Sequence, residues 1–162
     1  MKRWTLVLAL LLVVGVIGQT SAASSSGGDK VLEFKTMFGV DGLFRGSANA
    51  IRGIPGAGAP WRIDDVKGEL RSNGDIEINV EGLVLVTTGL NPSTTFRAIV
   101  SCLTSTATTV STVNLVTESF PATTTGDSEI EAKVSLPSPC VAPIVFVAPR
   151  ADPPRWFSVT GS

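Results

Sequence analysis

The chain has 162 residues, 43% of them hydrophobic and 17% charged, which is enough for one domain with a buried core. It contains no histidine, and this excludes Ser-His-Asp and Cys-His catalytic sites, the HExxH zinc motif and histidine-metal sites within the chain. Its thirteen basic and fourteen acidic residues provide no positively charged surface for nucleic acid.

Residues 1–22 have the pattern of a secretory signal peptide. Lys2 and Arg3 form a basic start, Trp4–Gly18 is apolar, and small residues follow. We expect cleavage after Ala22, with cleavage after Ala23 as the alternative. Loss of two basic residues leaves eleven against fourteen acidic ones, a net charge of −3. The competing interpretation is an uncleaved membrane anchor, although about 15 apolar residues are few for a span.

The stretch from Ala23 to Lys30 is rich in serine and glycine and is typical of a flexible tether, so we expect a single folded domain over residues 31–162. Val31–Phe38 predicts a first strand and Leu43–Arg52 a second. The glycines of IRGIPGAGAPW, Ile51–Trp61, are similar to those of a phosphate loop, but no Lys-Ser/Thr follows and no helix is indicated. We interpret this segment as a connection between strands.

Residues 61–86 predict a β-hairpin whose limbs alternate apolar and polar side chains around Ser72-Asn73-Gly74. A two-residue loop would set Leu70 opposite Glu77 and so mix core and solvent side chains on one face. A three-residue loop with Gly74 at a positive-φ position avoids this conflict. The opposed pairs are then Leu70 with Ile76, Val66 with Val80, Arg71 with Asp75 and Glu69 with Glu77.

The rest of the chain predicts more short strands. Phe96–Cys102 alternates after a turn, and the Thr/Ser tract Thr104–Thr112 suits a loop or an exposed strand edge. Val113–Phe120 and Ser128–Leu136 predict a second hairpin around Thr124-Thr125-Gly126. Its opposed pairs would be Phe120 with Ile130 and Val116 with Val134.

Near the C-terminus, the apolar run Ile144–Val147 is typical of a strand covered on both faces. Ala148–Pro154 carries three prolines and predicts a loop, and Trp156–Thr160 predicts the closing strand. Eight or nine short strands without a helical period predict an antiparallel β-sandwich or closed barrel.

The two cysteines, Cys102 and Cys140, predict one disulfide in an exported chain. It closes a loop of about 39 residues, for which chain entropy gives on the order of 4 kcal/mol of stabilisation. A redox or metal-binding pair is the alternative, but neither cysteine lies in a CxxC motif.

The strings IRGIPGAGAPW, GELRSNG, VEGLVL, FRAIVSCLT, LPSPCVAPIVFV and WFSVTG, which lie between Ile51 and Gly161, are similar to segments of a group of secreted bacterial proteins with no established function. The resemblance implies an exported single domain with paired cysteines. It implies no catalytic or binding residue.

Two tryptophans have two interpretations. If Trp61 and Trp156 project from loops onto one surface, their rings could stack on sugars, with Arg62, Asp64 or Arg155 bonding to hydroxyl groups. Alternatively both rings pack against strand ends in the core, as tryptophans more often do. The position of the rings therefore decides between a carbohydrate site and a structural role.

The acidic residues offer two further candidates. Calcium could bind at Asp64 and Asp65 or at Asp127 and Glu129, although neither pair has EF-hand spacing. Carboxylate catalysis would need an opposed pair across a cleft, whereas Glu129 and Glu131 lie along one strand. We expect ordinary surface acids, with no cofactor and no bound metal.

These patterns favour an exported, non-enzymatic β-sandwich that acts as a cell-envelope or extracellular binding or structural module. Its partner would be a cell-surface protein or a glycan, and it would touch a membrane only through an uncleaved leader. The alternative is a carbohydrate-binding module that uses the two tryptophans, and a remote third is a carboxylate-dependent glycan hydrolase. An exposed apolar patch or an open sheet edge would favour protein contact.

Overall fold

The computed structural model describes residues 27–161, and within them the regular structure is β apart from a 3-10 turn at Gly42–Phe44. The signal-peptide prediction and its cleavage site therefore lie outside the described residues. No helix in this range is long and apolar enough to cross a membrane. The strands are β1 (Lys30–Phe34), β2 (Met37–Gly39), β3 (Trp61–Arg62), β4 (Asp65–Arg71), β5 (Asp75–Glu81), β6 (Val84–Leu85), β7 (Thr95–Ser105), β8 (Val110–Val116), β9 (Phe120–Pro121), β10 (Ser128–Lys133), β11 (Val141–Pro149) and β12 (Ser158–Thr160).

These strands form two main sheets in which every pairing is antiparallel. The four-stranded sheet has the order β1-β4-β5-β10. The larger sheet has the order β2-β12-β11-β7-β8, with β9 also paired to β7, and β3 and β6 form a separate pair. The all-β, sandwich-like prediction is confirmed, and the sheets do not close into a barrel. The expected eight or nine strands become twelve because several have only two or three residues.

The hairpin of β4 and β5 has the predicted register. Leu70 lies opposite Ile76 and Val66 opposite Val80. Gly74 has a φ of +89°, and a Cβ there would lie 1.8 Å from the Val134 carbonyl oxygen. Only glycine fits this position, because it alone adopts positive φ freely and leaves room for the neighbouring backbone.

The predicted second hairpin is wrong. β8 pairs with β7 through a turn in which the Thr106 N–H donates to the Thr109 carbonyl, 2.9 Å away. β10 instead pairs with β5, so that Ile130 lies opposite Ile78. The turn around Gly126 does form, but it connects two different sheets. Alternating side chains predict a strand and its buried face, and they do not identify the partner strand.

The N-terminal strand predictions are only partly correct. Val31–Phe38 is two strands, β1 and β2, in different sheets. β1 begins at Lys30, within the stretch assigned to the tether, and the preceding Asp29 carbonyl accepts from the Ser72 N–H at 2.7 Å. The predicted strand Leu43–Arg52 is absent from the described structure. Glycines with positive φ at 42, 46 and 53 bend this part of the chain into turns.

The segment Asp41–Pro60, which we name the cover loop, forms a third layer. Its ends meet where the Trp61 N–H donates to the Val40 carbonyl at 2.9 Å. Trp156 lies beneath the loop, with its ring centroid 6.5 Å from that of Phe44 and 6.0 Å from that of Phe146 on β11. The interpretation of Ile51–Trp61 as a connection between strands is confirmed, and this connection also covers one face of the larger sheet.

The cover loop explains why the central strands are buried on both faces. Successive side chains of a strand point to opposite faces. In β11 the four residues Val145–Ala148 are fully buried, so the predicted run Ile144–Val147 is covered on both faces except at Ile144, which is half-buried. The predicted loop Ala148–Pro154 begins two residues later than expected, because Ala148 and Pro149 still pair with Arg97 and Phe96 of β7.

The disulfide Cys102–Cys140 is confirmed, with an S–S distance of 2.07 Å and a Cα–Cα distance of 5.0 Å. Cys102 lies on β7 and is fully buried, and Cys140 directly precedes β11. The bond therefore links two neighbouring strands at the centre of the larger sheet.

Candidate functional site

The two tryptophans do not form a surface platform. Trp61 is 4% exposed and Trp156 is 2% exposed. The Trp61 ring stacks on Phe157 with centroids 3.7 Å apart, whereas Trp156 lies under the cover loop against Phe146. The two indoles therefore pack against different aromatic neighbours within the core. Neither indole offers a free face to a sugar ring.

The polar residues predicted to accompany the tryptophans lie on the surface. Arg62, on β3, forms an ion pair with Asp64. Arg155 is exposed beside the buried Trp156. The structure places Arg62 and Asp64 together, but it does not combine them with an accessible ring into a sugar-binding site.

The predicted calcium ligands have other contacts. Asp65 lies 3.7 Å from the Lys67 ammonium group, and Glu129 lies on the outward side of β10 opposite Asn79. Within residues 27–161, no group of three or more Asp, Glu, Cys or His side chains is arranged to hold a metal ion.

Asp127 instead organises the turn before β10. Its carboxylate accepts from the Gly82 N–H at 3.0 Å and from the hydroxyls of Thr123 and Thr125 at 3.1 and 2.6 Å. The Thr125 hydroxyl and then the Gly82 N–H stabilise the charged form, so they hold the pKa of Asp127 below its usual value. The arrangement ties the turn around Gly126 to the end of β5.

Four glutamates form a row across the outward face of the four-stranded sheet, and only the pair Glu69 with Glu77 was predicted from the sequence. Glu33 lies opposite Glu69, Glu69 opposite Glu77, and Glu77 opposite Glu131. The residues line a shallow depression of about 320 Å³. The pairing of β10 with β5, which was not predicted, is what extends the row to Glu131.

One end of this glutamate row is neutralised by cations. The Lys30 ammonium lies 3.0 Å from Glu33 and 3.1 Å from Glu69, and Arg71 also contacts Glu69. The hydrogen bond from Lys30 lowers the pKa of Glu69, and the hydrogen bonds to Glu33 and then to Glu69 raise the pKa of Lys30. No cation among the described residues forms an ion pair with Glu77 or Glu131.

The most distinctive surface of the described structure is the outer edge of β8. β8 ends the strand order of its sheet, and beyond β7 no backbone hydrogen bond joins it to another described residue. Its sequence VSTVNLV contains no charge, proline or glycine, and Ala98–Thr117 as a whole contains no charged residue. Native edge strands usually carry charged residues, prolines or bulges that prevent pairing with another chain, and β8 lacks the charges and the proline.

The hydrogen-bonding direction along β8 can be assigned from its two ends. The Thr117 N–H donates to the Ala98 carbonyl at 3.0 Å, and Thr106 donates to Thr109 across the hairpin turn. Backbone groups alternate in direction along an antiparallel strand, so the odd-numbered residues of β8 bond to β7. The residues that direct their N–H and C=O groups to the open edge are therefore Val110, Thr112, Asn114 and Val116.

The side chains on this edge are also accessible. Val110 is 67% exposed and Val116 is 44% exposed. Asn114 is held from one side, because its amide donates to the Arg52 carbonyl of the cover loop at 3.0 Å. The edge thus combines exposed valines with backbone groups that bond to no other residue in the range 27–161.

No family model, curated protein or solved structure matches the chain.

Proposed function

We propose that this chain is an exported, non-enzymatic β-sandwich that acts as a cell-envelope or extracellular module by binding another macromolecule through its surface. The observation that carries the proposal is the open, uncharged edge of β8. Hydrogen-bond donors and acceptors arranged at strand spacing favour an additional strand over a small molecule. The exposed valines at 110 and 116 would be buried by the same contact.

Export is supported by two features. The first 22 residues have the pattern of a signal peptide. The disulfide Cys102–Cys140 suits an oxidising compartment, where such bonds persist. A secreted, periplasmic or other envelope location agrees with both.

The two other candidate functions have less support. Sugar stacking would require the Trp61 and Trp156 rings to leave the core, which would expose buried aromatic surface to water. Glycan hydrolysis would require a carboxyl group that keeps its proton. The lowered pKa of Glu69 in the glutamate row is a shift in the opposite direction.

Export is tested by expressing the full chain in a host that secretes proteins and measuring the intact mass before and after reduction. We expect the mass of a chain that begins at Ala23, and a gain of two hydrogens on reduction. A product that retains Met1 and two free thiols would contradict export.

Contact through the edge is tested by thiol labelling. Val110→Cys on β8 and Asn79→Cys on the outward face of β5 are each exported to the envelope and treated with a membrane-impermeant maleimide. We expect Val110→Cys to label at least 10-fold more slowly in the envelope than in dilute purified protein, because a partner covers it. Asn79→Cys is the matched control and should label equally in both. Equal labelling of Val110→Cys in both settings would contradict the proposed contact.

A further inference from the structure

We propose that the partner of β8 is β8 of a second copy of this chain, paired antiparallel about a two-fold axis at Val113. The inference rests on the proposed function, because it names the partner of the same edge. It adds a definite register, a definite number of copies and one continuous sheet through both sandwiches.

The sequence of β8 complements itself in this register. Pairing about Val113 sets Val110 opposite Val116 of the other copy, so that exposed valines meet at both ends. It sets Thr112 opposite Asn114, and two polar side chains meet. Directly opposed residues lie on the same face, so each contact joins side chains that are neighbours in the combined sheet. No charge lies on either strand to oppose the approach.

The backbone favours the same register. The even-numbered residues of β8 direct their N–H and C=O groups outward, as the bonds of Thr117 and Thr106 to their partners indicate. Val110 with Val116 and Thr112 with Asn114 are then hydrogen-bonded pairs. A register shifted by one residue would place outward groups opposite groups already bonded to β7 and would form none of these bonds.

The other sheet edges are protected in the ways typical of native edge strands. β1 carries Lys30 and Glu33, β10 carries Glu129, Glu131 and Lys133, and β2 has only three residues. Among the described residues, the two main sheets of each copy have one unprotected edge, and a two-fold contact uses this same edge on both copies, so the assembly closes at two copies.

The register is tested with variants of the exported protein that each add one free cysteine to the disulfide-bonded pair Cys102–Cys140. Cα atoms of a hydrogen-bonded antiparallel pair lie about 5.5 Å apart, which a disulfide spans. Val110→Cys and Val116→Cys are purified separately and then mixed under mild oxidation. We expect cross-linked dimer in the mixture and not in either variant alone, because two copies of residue 110 would lie about 20 Å apart. A mixture of Val110→Cys with Thr112→Cys is the matched control and should not cross-link.

Self-association is tested separately with Thr112→Pro. The N–H of residue 112 faces the open edge, so proline removes a bond to the second copy and leaves the bonds to β7 intact. We expect sedimentation equilibrium to show a dimer for the exported protein and a dissociation constant about 10-fold or more higher for Thr112→Pro. Thr112→Val keeps the N–H and should dimerise like the parent. A β-rich circular dichroism spectrum and a cooperative thermal transition in Thr112→Pro would show that the proline variant is folded.

Three results would overturn the self-pairing. They are a monomer at all concentrations up to the millimolar range, cross-linking in the control mixture, and an open series of assemblies larger than two. If the protein is monomeric while Val110→Cys is still protected in the envelope, the edge binds a different macromolecule, and the proposed function stands without this inference.

Discussion

Asp127 shows how a predicted ligand became a structural residue. Asp127 was a candidate calcium ligand together with Glu129, but its carboxylate oxygens accept hydrogen bonds from Gly82, Thr123 and Thr125. The sequence alone does not distinguish a carboxylate that binds a cation from one that accepts hydrogen bonds from backbone N–H and hydroxyl groups. The distinction depends on Gly82, which is distant in the chain and was not predicted to lie nearby.

We predict that Asp127→Asn destabilises the protein by about 1–2 kcal/mol at pH 7, because the charged acceptor becomes a neutral one. Urea unfolding followed by circular dichroism measures the change. Glu129→Gln, two residues along on the outward face of β10, removes the same charge without these bonds and should change the free energy of unfolding little. Equal effects of the two substitutions would mean that only net charge matters.

The same substitution has a defined pH dependence. The pKa of Asp127 is lowered in the folded protein from its ordinary value of 3.8, so the folded state favours the charged carboxylate. The stabilisation is therefore complete above about pH 4 and is lost as the pH falls through the lowered pKa. The stability difference between the parent protein and Asp127→Asn should shrink in that acidic range.

At the scale of elements, the two predicted hairpins show what side-chain alternation can predict. The β4–β5 hairpin was correct because only one register kept Leu70 and Ile76 on the same face and Gly74 supplied the required turn. Alternation also predicted that Val113–Phe120 pairs with Ser128–Leu136, and that prediction is wrong. Both segments are strands in part, but the tertiary packing of two sheets selected β7 and β5 as their partners.

The candidate site was predictable only in part for the same reason. The Thr/Ser tract Thr104–Thr112 was predicted to be a loop or an exposed strand edge, and it contains the end of β7, a turn and the first residues of the edge strand β8. Core packing of Trp61 and Trp156 was the interpretation that the sequence favoured, but their neighbours, Phe157 and the cover loop, were not predicted. Cross-strand rows such as the four glutamates require the full strand order.

We predict that Glu77→Lys stabilises the protein. Like charges directly opposite each other destabilise a sheet, and Glu77 lies between Glu69 and Glu131. The urea midpoint should rise, and it should rise more at low salt than at about 1 M salt, where charges are screened within about 3 Å. Asn79→Lys introduces the same side chain two residues along β5 and outside the row, and it should have the smaller effect. A lower midpoint for Glu77→Lys would show that the row is not strained by repulsion.

At the scale of the whole molecule, the disulfide is a covalent cross-link in a domain that packing and strand hydrogen bonds otherwise stabilise. It joins β7 to the start of β11 across 38 positions of sequence. We predict that Cys102→Ala with Cys140→Ala lowers the free energy of unfolding by about 2–4 kcal/mol and leaves the β-rich circular dichroism spectrum unchanged. Urea unfolding of the parent protein with and without a reducing agent should give a similar difference. A change below about 0.5 kcal/mol would mean that the loop is already restricted in the unfolded chain.

Trp61 and Trp156 are both buried but contact different aromatic neighbours, and this gives the domain two intrinsic fluorophores with separate surroundings. Trp61 reports on the interior beside Phe157, and Trp156 reports on the contact between the cover loop and β11. Emission from each, isolated by replacing the other indole with phenylalanine, can therefore follow the loosening of the cover loop and the melting of the sheets as two distinct events.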